Sequence, residues 1–113
     1  MHEYSIVAAL VEQVEIAAVP RAIVRRVHVK LGENAGVDPA LLRTAFETFR
    51  ARTICDGAEL SLTEVATTWR CGRCDCPIAR GAPLQCPTCG QPARMAGGDE
   101  IILERIEMEI PDV

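Results

Sequence analysis

The amino-acid sequence predicts an α+β fold in which two helices pack on a three-stranded sheet and a small four-cysteine module is inserted before the last strand. Three observations carry that prediction. Two segments repeat apolar residues at the three- and four-residue steps of a helix, and three others alternate apolar with polar residues as half-buried strands do. Between the second and third strands, a stretch rich in Pro and Gly holds five of the six cysteines.

The first helix covers Glu3 to Val19, where Ile6, Val7, Leu10, Val11, Val14 and Ala18 line one face and Pro20 ends the run. In the first strand, Ile23, Val27, Val29 and Leu31 alternate with Val24, Arg26, His28 and Lys30, with Arg25 falling on the apolar parity. A loop follows from Gly32 to Gly36. Asp38-Pro39 reads as an N-cap and first helical residue, and the second helix then directs Leu41, Leu42, Ala45, Phe46 and Phe49 to the core. Asp56-Gly57 turns the chain into a second strand, Glu59 to Val65, with Leu60 and Leu62 inward. After Gly97-Gly98 comes a third strand, with Ile102, Ile106, Met108 and Ile110 on one side and Leu103, Arg105, Glu107 and Glu109 on the other. Residues 1–68 and 96–113 are thus expected to form one domain and 69–95 a separate module.

The strongest chemical signal is the pair of knuckles Cys71-Gly-Arg-Cys74 and Cys86-Pro-Thr-Cys89-Gly90. Two residues between thiols let one tight turn aim both sulfurs at a single ion, and two such turns complete the tetrahedron that zinc prefers. A four-thiolate site is closed to substrate, so the zinc is structural and the module zinc-ribbon-like. A redox dithiol is the competing reading, but it calls for a strand-to-helix turn in a βαβ unit, a context neither pair has. Cys76 forms a CxC with Cys74 and can stand in as a ligand, although a spare thiol is the favoured reading. Cys55 is expected to be a small buried hydrophobe, and His28, on the polar side of the first strand, to be solvent-exposed.

A second donor set lies at the N-terminus. A bulky His2 hinders removal of Met1, so a free amine, the His2 amide nitrogen and the His2 imidazole stand within one residue of each other. Those nitrogens can chelate one ion through fused rings, with the Glu3 amide as a fourth donor, and a planar nitrogen set suits Ni(II) or Cu(II). An exposed terminal His or a cap contact is the plainer reading of the same residue.

Composition narrows the function classes. The chain has 113 residues, 49% of them hydrophobic, enough for one modest globular domain. Its net charge of −4, and the lack of aromatics interleaved with Arg or Lys, disfavour nucleic acid as a partner. A zinc-ribbon module that binds nucleic acid or protein remains the rival class. Arg70, Arg73, Arg80 and Arg94 around the knuckles suit an acidic protein partner. No segment reads as a signal peptide or a membrane span, and paired CxxC motifs fit a reducing compartment better than a secreted disulfide module; a cytoplasmic protein is expected.

Several stretches together resemble one family from end to end: Met1-His2-Glu3 opening an amphipathic helix, Gly36-Val37-Asp38-Pro39, Ala45-Phe46-Glu47, Gly57-Ala58-Glu59-Leu60, then CxxC and CPxCG. The sequence is similar to the HypA/HybF family of hydrogenase-maturation nickel metallochaperones. That resemblance implies a non-catalytic protein with a nickel site at Met1, His2 and Glu3 and a zinc site at Cys71, Cys74, Cys86 and Cys89. It also implies delivery of nickel to the NiFe-hydrogenase large subunit together with a maturation GTPase, some members serving urease as well. Two positions depart from the pattern: Tyr4, where many members have Met, and Cys76, where a non-thiol residue is usual.

Overall fold

The computed structural model describes residues 2–111, with the side chain of His2 outside that description. In chain order the elements are α1 (His2–Ala17), β1 (Ile23–Gly32), α2 (Pro39–Phe49), β2 (Glu59–Val65), β3 (Thr68–Cys71), β4 (Pro77–Ile78), β5 (Ala93–Gly97) and β6 (Ile101–Glu109). They build an α+β fold with two sheets, one in the order β2-β1-β6 and one in the order β4-β3-β5.

Strands β1 and β2 pair in parallel, Val27 opposite Leu60 and Val29 opposite Leu62. Parallel neighbours require a crossover, and α2 supplies it. The Asp38 carboxylate starts α2 by accepting from the amides of Ala40 (2.8 Å) and Leu41 (3.3 Å), while Pro39 occupies a first-turn position that needs no N–H donor. Arg43 and Arg50 then donate to the carbonyls of Leu60 and Ala58, tying α2 to the start of β2. Both helices cover one face of the sheet: Val7, Leu10, Val11 and Val14 of α1 and Leu42, Ala45 and Phe46 of α2 join Val24, Val27, Val29 and Leu31 of β1 in a single core. Cys55 lies fully buried in that core, as the sequence predicts.

Two bulges correct the predicted strand faces. In the pairing of β1 with β6, Val24 faces Met108 and Arg26 faces Glu107, so Arg25 is the extra residue. The parity therefore flips there: Val24 is buried and Ile23 is 42% exposed, the reverse of the expectation. A second shift, between His28 and Val29, makes Glu104 the extra residue of β6. Ile101 and Leu103 consequently pack on the core with Ile106 and Met108, whereas Ile102 and Ile110 are exposed. Leu41 and Phe49, also expected inside, are 55% and 39% exposed, because they flank the narrow stripe of Leu42, Ala45 and Phe46. His28 is not solvent-exposed either. Its side chain is only 12% accessible, since the Glu107 carboxylate lies hydrogen-bonded across it within a row of outward ion pairs that includes Arg26–Glu59 and Lys30–Glu104.

The molecule is elongated, 63 × 29 × 18 Å, with a radius of gyration of 18.2 Å. A compact chain of this length would give roughly 13 Å. The second sheet has its own small apolar cluster around Cys71, Ile78 and Cys86. Where the two sheets meet, the chain crosses itself tightly: Gly32 donates to the Glu100 carbonyl (2.8 Å), and Asn34 donates to that of Gly98 (2.7 Å). A Cβ on Gly98, whose φ is +91°, would stand 2.5 Å from the Thr67 Cα, so only glycine fits the crossing. Glu33 spans the junction, accepting from the Thr67 amide (3.2 Å) and from both terminal nitrogens of Arg80 (3.0 and 2.7 Å). The Arg80 fork foremost, then the Thr67 amide, holds the Glu33 carboxyl down at about 2.

Candidate metal centre

The two knuckles share one backbone frame. In the first, the Cys71 amide donates to the Cys76 carbonyl (2.9 Å) and the Asp75 amide to that of Cys71 (3.1 Å). In the second, Cys86 donates to Gln91 (2.8 Å) and Gly90 to Cys86 (2.9 Å). Each turn closes through a left-handed residue, Asp75 at φ +55° and Gly90 at φ +78°. The first turn links β3 to β4, and the second is closed by the bridge between Gln85 and Pro92. Asp75 tolerates its left-handed backbone with help from both sides: its carboxylate accepts from Arg70 Nε (3.0 Å) and from Arg94 (2.6 Å).

This frame turns backbone donors onto the leading sulfur of each knuckle. The amides of Cys74 (3.2 Å) and Arg73 (3.3 Å) point at Cys71 Sγ and lower that thiol's pKa. The amides of Cys89 and Thr88 do the same for Cys86 and hold it at about 6. Without a metal, the remaining thiols keep their protons. Cys74 is raised to about 12, first by its hydrogen bond to Cys89 and then by burial. A cation would displace those protons, as thiolate metal sites require.

The Sγ atoms of Cys71, Cys74, Cys86 and Cys89 all lie within 4.8 Å of one another, and Cys71 and Cys89 approach to 3.4 Å. A tetrahedron with Zn–S bonds of about 2.3 Å has edges of about 3.8 Å, so small adjustments, the Cys71–Cys89 pair opening and the wider pairs closing, would seat an ion. The residues fit a four-thiolate zinc site. Cys71 and Cys86 are buried, Cys89 is half-buried and Cys74 is exposed. Cys76 Sγ stands 3.6 Å from Cys86 Sγ, outside the mutual set.

At the other predicted site, α1 begins at His2, and Glu3 sits half-buried in its first turn. Met1 and the His2 side chain lie outside the described residues.

Comparison with known proteins gives this arrangement a family. The model of the hydrogenase/urease nickel-incorporation metallochaperones, HypA, matches residues 1–108. The chain belongs to the HypA family. The hydrogenase maturation factor HypA of Shewanella oneidensis is 42% identical over 113 residues, covering 96% of each chain. HypA of Wolinella succinogenes is 38% identical over 117 residues, covering 99% of this chain and 98% of the relative. The solution structure of the nickel metallochaperone HypA from Helicobacter pylori superposes with a TM-score of 0.74 at 30% identity, covering 96% of this chain and 98% of that one. A second HypA solution structure gives a TM-score of 0.76 at 28% identity and covers 98% of both chains. As a member of that family, the protein is a nickel metallochaperone of hydrogenase maturation. Nickel is its cargo, it is not an enzyme, and its partners lie among the maturation proteins. Among the described residues, no helix is long and apolar enough to cross a membrane.

Two polar clamps of this chain escape a reading of the sequence. Three of the four arginines that look like a patch for an acidic partner are committed to carboxylates of the same chain, Arg70 and Arg94 to Asp75 and Arg80 to Glu33. The only advance signal is local, an Asp placed between two thiols where the second knuckle has Gly90.

Proposed function

We propose that nickel binds at the N-terminus, to the amine of Met1, the amide and imidazole nitrogens of His2 and the amide of Glu3, and is passed on by ligand exchange. Zinc is held apart by Cys71, Cys74, Cys86 and Cys89. The observation that supports this division is the four-sulfur cluster itself: sulfurs within 4.8 Å of one another saturate one tetrahedral ion and leave no position for a transferable cargo. The helix that starts at His2 supports the nickel half, because the first amides of a helix have no intrahelical acceptor and are free to bind metal. Nitrogen donors in a planar set favour Ni(II), whereas closed thiolate tetrahedra favour zinc, so ligand type and geometry sort the two ions.

On this reading, residues 1–68 and 96–113 form the nickel-binding domain and 69–95 the zinc module. The acceptor is the NiFe-hydrogenase large subunit, a maturation GTPase assists the transfer, urease maturation proteins are further partners, and the exchange takes place in the cytoplasm. A planar nitrogen set suits transfer, since it leaves the axial faces of the ion open to the acceptor's ligands. Nickel titration of untagged wild type, His2→Ala and an N-terminally extended chain tests the assignment. Binding should be lost in both variants, and equal binding by all three would refute it.

A further inference from the structure

We propose that Cys76 is a reserve zinc ligand that exchanges with Cys74, giving the zinc five thiols for four positions. The inference rests on the zinc reading above and goes beyond it. Zinc in such a site takes four ligands, so one thiol is always left over. Cys76 is not a stray side chain on a loose loop: its carbonyl accepts the Cys71 amide at 2.9 Å, which clamps the residue at the closing end of the first knuckle. In the second knuckle the equivalent place is taken by Gln91, which accepts from the Cys86 amide in the same way and carries no sulfur. The clamp puts Cys76 Sγ 3.6 Å from Cys86 Sγ, close to the edge of about 3.8 Å that neighbouring corners of a zinc–sulfur tetrahedron require. A zinc bonded to Cys86 therefore has Cys76 at the distance of an adjacent corner.

Exposure indicates which ligand is replaced. Cys71 and Cys86 are buried and Cys89 is half-buried, whereas Cys74 is exposed and Cys76 is half-buried. Cys74 is the corner that solvent reaches, and Cys76 lies on the same turn. The constant ligands are then Cys71, Cys86 and Cys89, and the fourth corner alternates. The exchange needs no oxidant, since one Zn–S bond forms as another breaks and a single proton moves from the incoming thiol to the outgoing thiolate. Its consequence is zinc retention when Cys74 is blocked or modified.

Full-length protein loaded with Co(II) or Zn(II) tests this through the thiolate-to-cobalt absorption and through zinc retention against a chelator. Cys74→Ser should keep a four-thiolate spectrum and its zinc. Cys74→Ser/Cys76→Ser should fall to a three-thiolate spectrum and release zinc at least about tenfold more readily, a loss larger than the sum of the single changes. A three-thiolate spectrum in Cys74→Ser alone would overturn the proposal. Thiol alkylation of zinc-loaded wild type, mapped by peptide mass, needs no variant. Single adducts should appear at either Cys74 or Cys76 with zinc retained, and a Cys74 adduct formed only with zinc release would also overturn it. Should wild type bind neither metal, the zinc reading itself fails, an outcome distinct from failure of the exchange.

Discussion

Stripping zinc should unfold one end of this molecule and leave the other folded. The module at 69–95 buries little: Cys71, Ile78 and Cys86 are its only buried apolar residues, with Trp69, Ala82 and Ala93 packed partly against them. A fully buried Ile contributes about 1.5–3 kcal/mol, whereas fixing the backbone costs about 1–2 kcal/mol for every residue ordered. A structural zinc supplies about 10–16 kcal/mol, several times the module's largest apolar contribution, so the metal decides whether it folds. The helical body is different, because Phe46, Leu42 and four β1 side chains are buried with α1 in a core that contains no knuckle residue. Two probes separate the ends. The chain's single tryptophan, Trp69, lies on β3 of the module, while both helices lie outside it. On treatment with a mercurial and a chelator, Trp69 emission should shift to the red while the far-UV helical signal persists. Loss of both signals at the same reagent concentration, or an unchanged Trp69, would show that zinc does not hold the module together independently of the helical body.

Other consequences follow from particular contacts. Phe46→Ala should cost about 3–5 kcal/mol in urea denaturation, whereas Leu41→Ala, at an exposed position, should stay within about 0.5 kcal/mol. The Glu33 carboxyl is held at about 2 against an ordinary 4.5, so its contribution to stability is present above the ordinary value and is lost as pH falls from about 4.5 toward 2. Acid titration of Glu33→Gln should therefore show a shallower loss of stability over that window, and an unchanged slope would contradict the Arg80 latch. Burial pushes the Cys55 thiol up to about 11, so it should resist alkylation at neutral pH in the folded protein and react only after denaturation.

What the sequence could reveal followed from what each residue's own neighbours decide. Asp38-Pro39 announces α2 because a cap and a first-turn proline act within one turn. The two CxxC pairs announce a four-sulfur cluster because the turn between the thiols already aims both of them. The strand faces differ from the sequence alternation at Ile23/Val24 and Ile102/Leu103, where a bulge shifts parity. A bulge is a property of two paired strands, and periodicity within one strand does not contain it. The cover over His28 is invisible in the sequence for the same reason, since the carboxylate comes from Glu107 on another strand. The small sheet of β3, β4 and β5 gave no alternation because its strands are short and organised around the sulfurs rather than around an apolar face. Arg94 and Arg80 reach Asp75 and Glu33 only through folding, and no pattern around those two arginines marks it.

Nitrogen-15 NMR of untagged, zinc-loaded protein with one equivalent of Ni(II) asks whether cargo and structural metal occupy separate sites. A planar nitrogen-bound nickel is diamagnetic, so the spectrum should stay sharp, with shifts confined to the first turn of α1 and the knuckle amides unmoved. Paramagnetic broadening centred on Cys71 to Cys89, with the first turn of α1 unaffected, would place nickel among the sulfurs and rule out the N-terminal site.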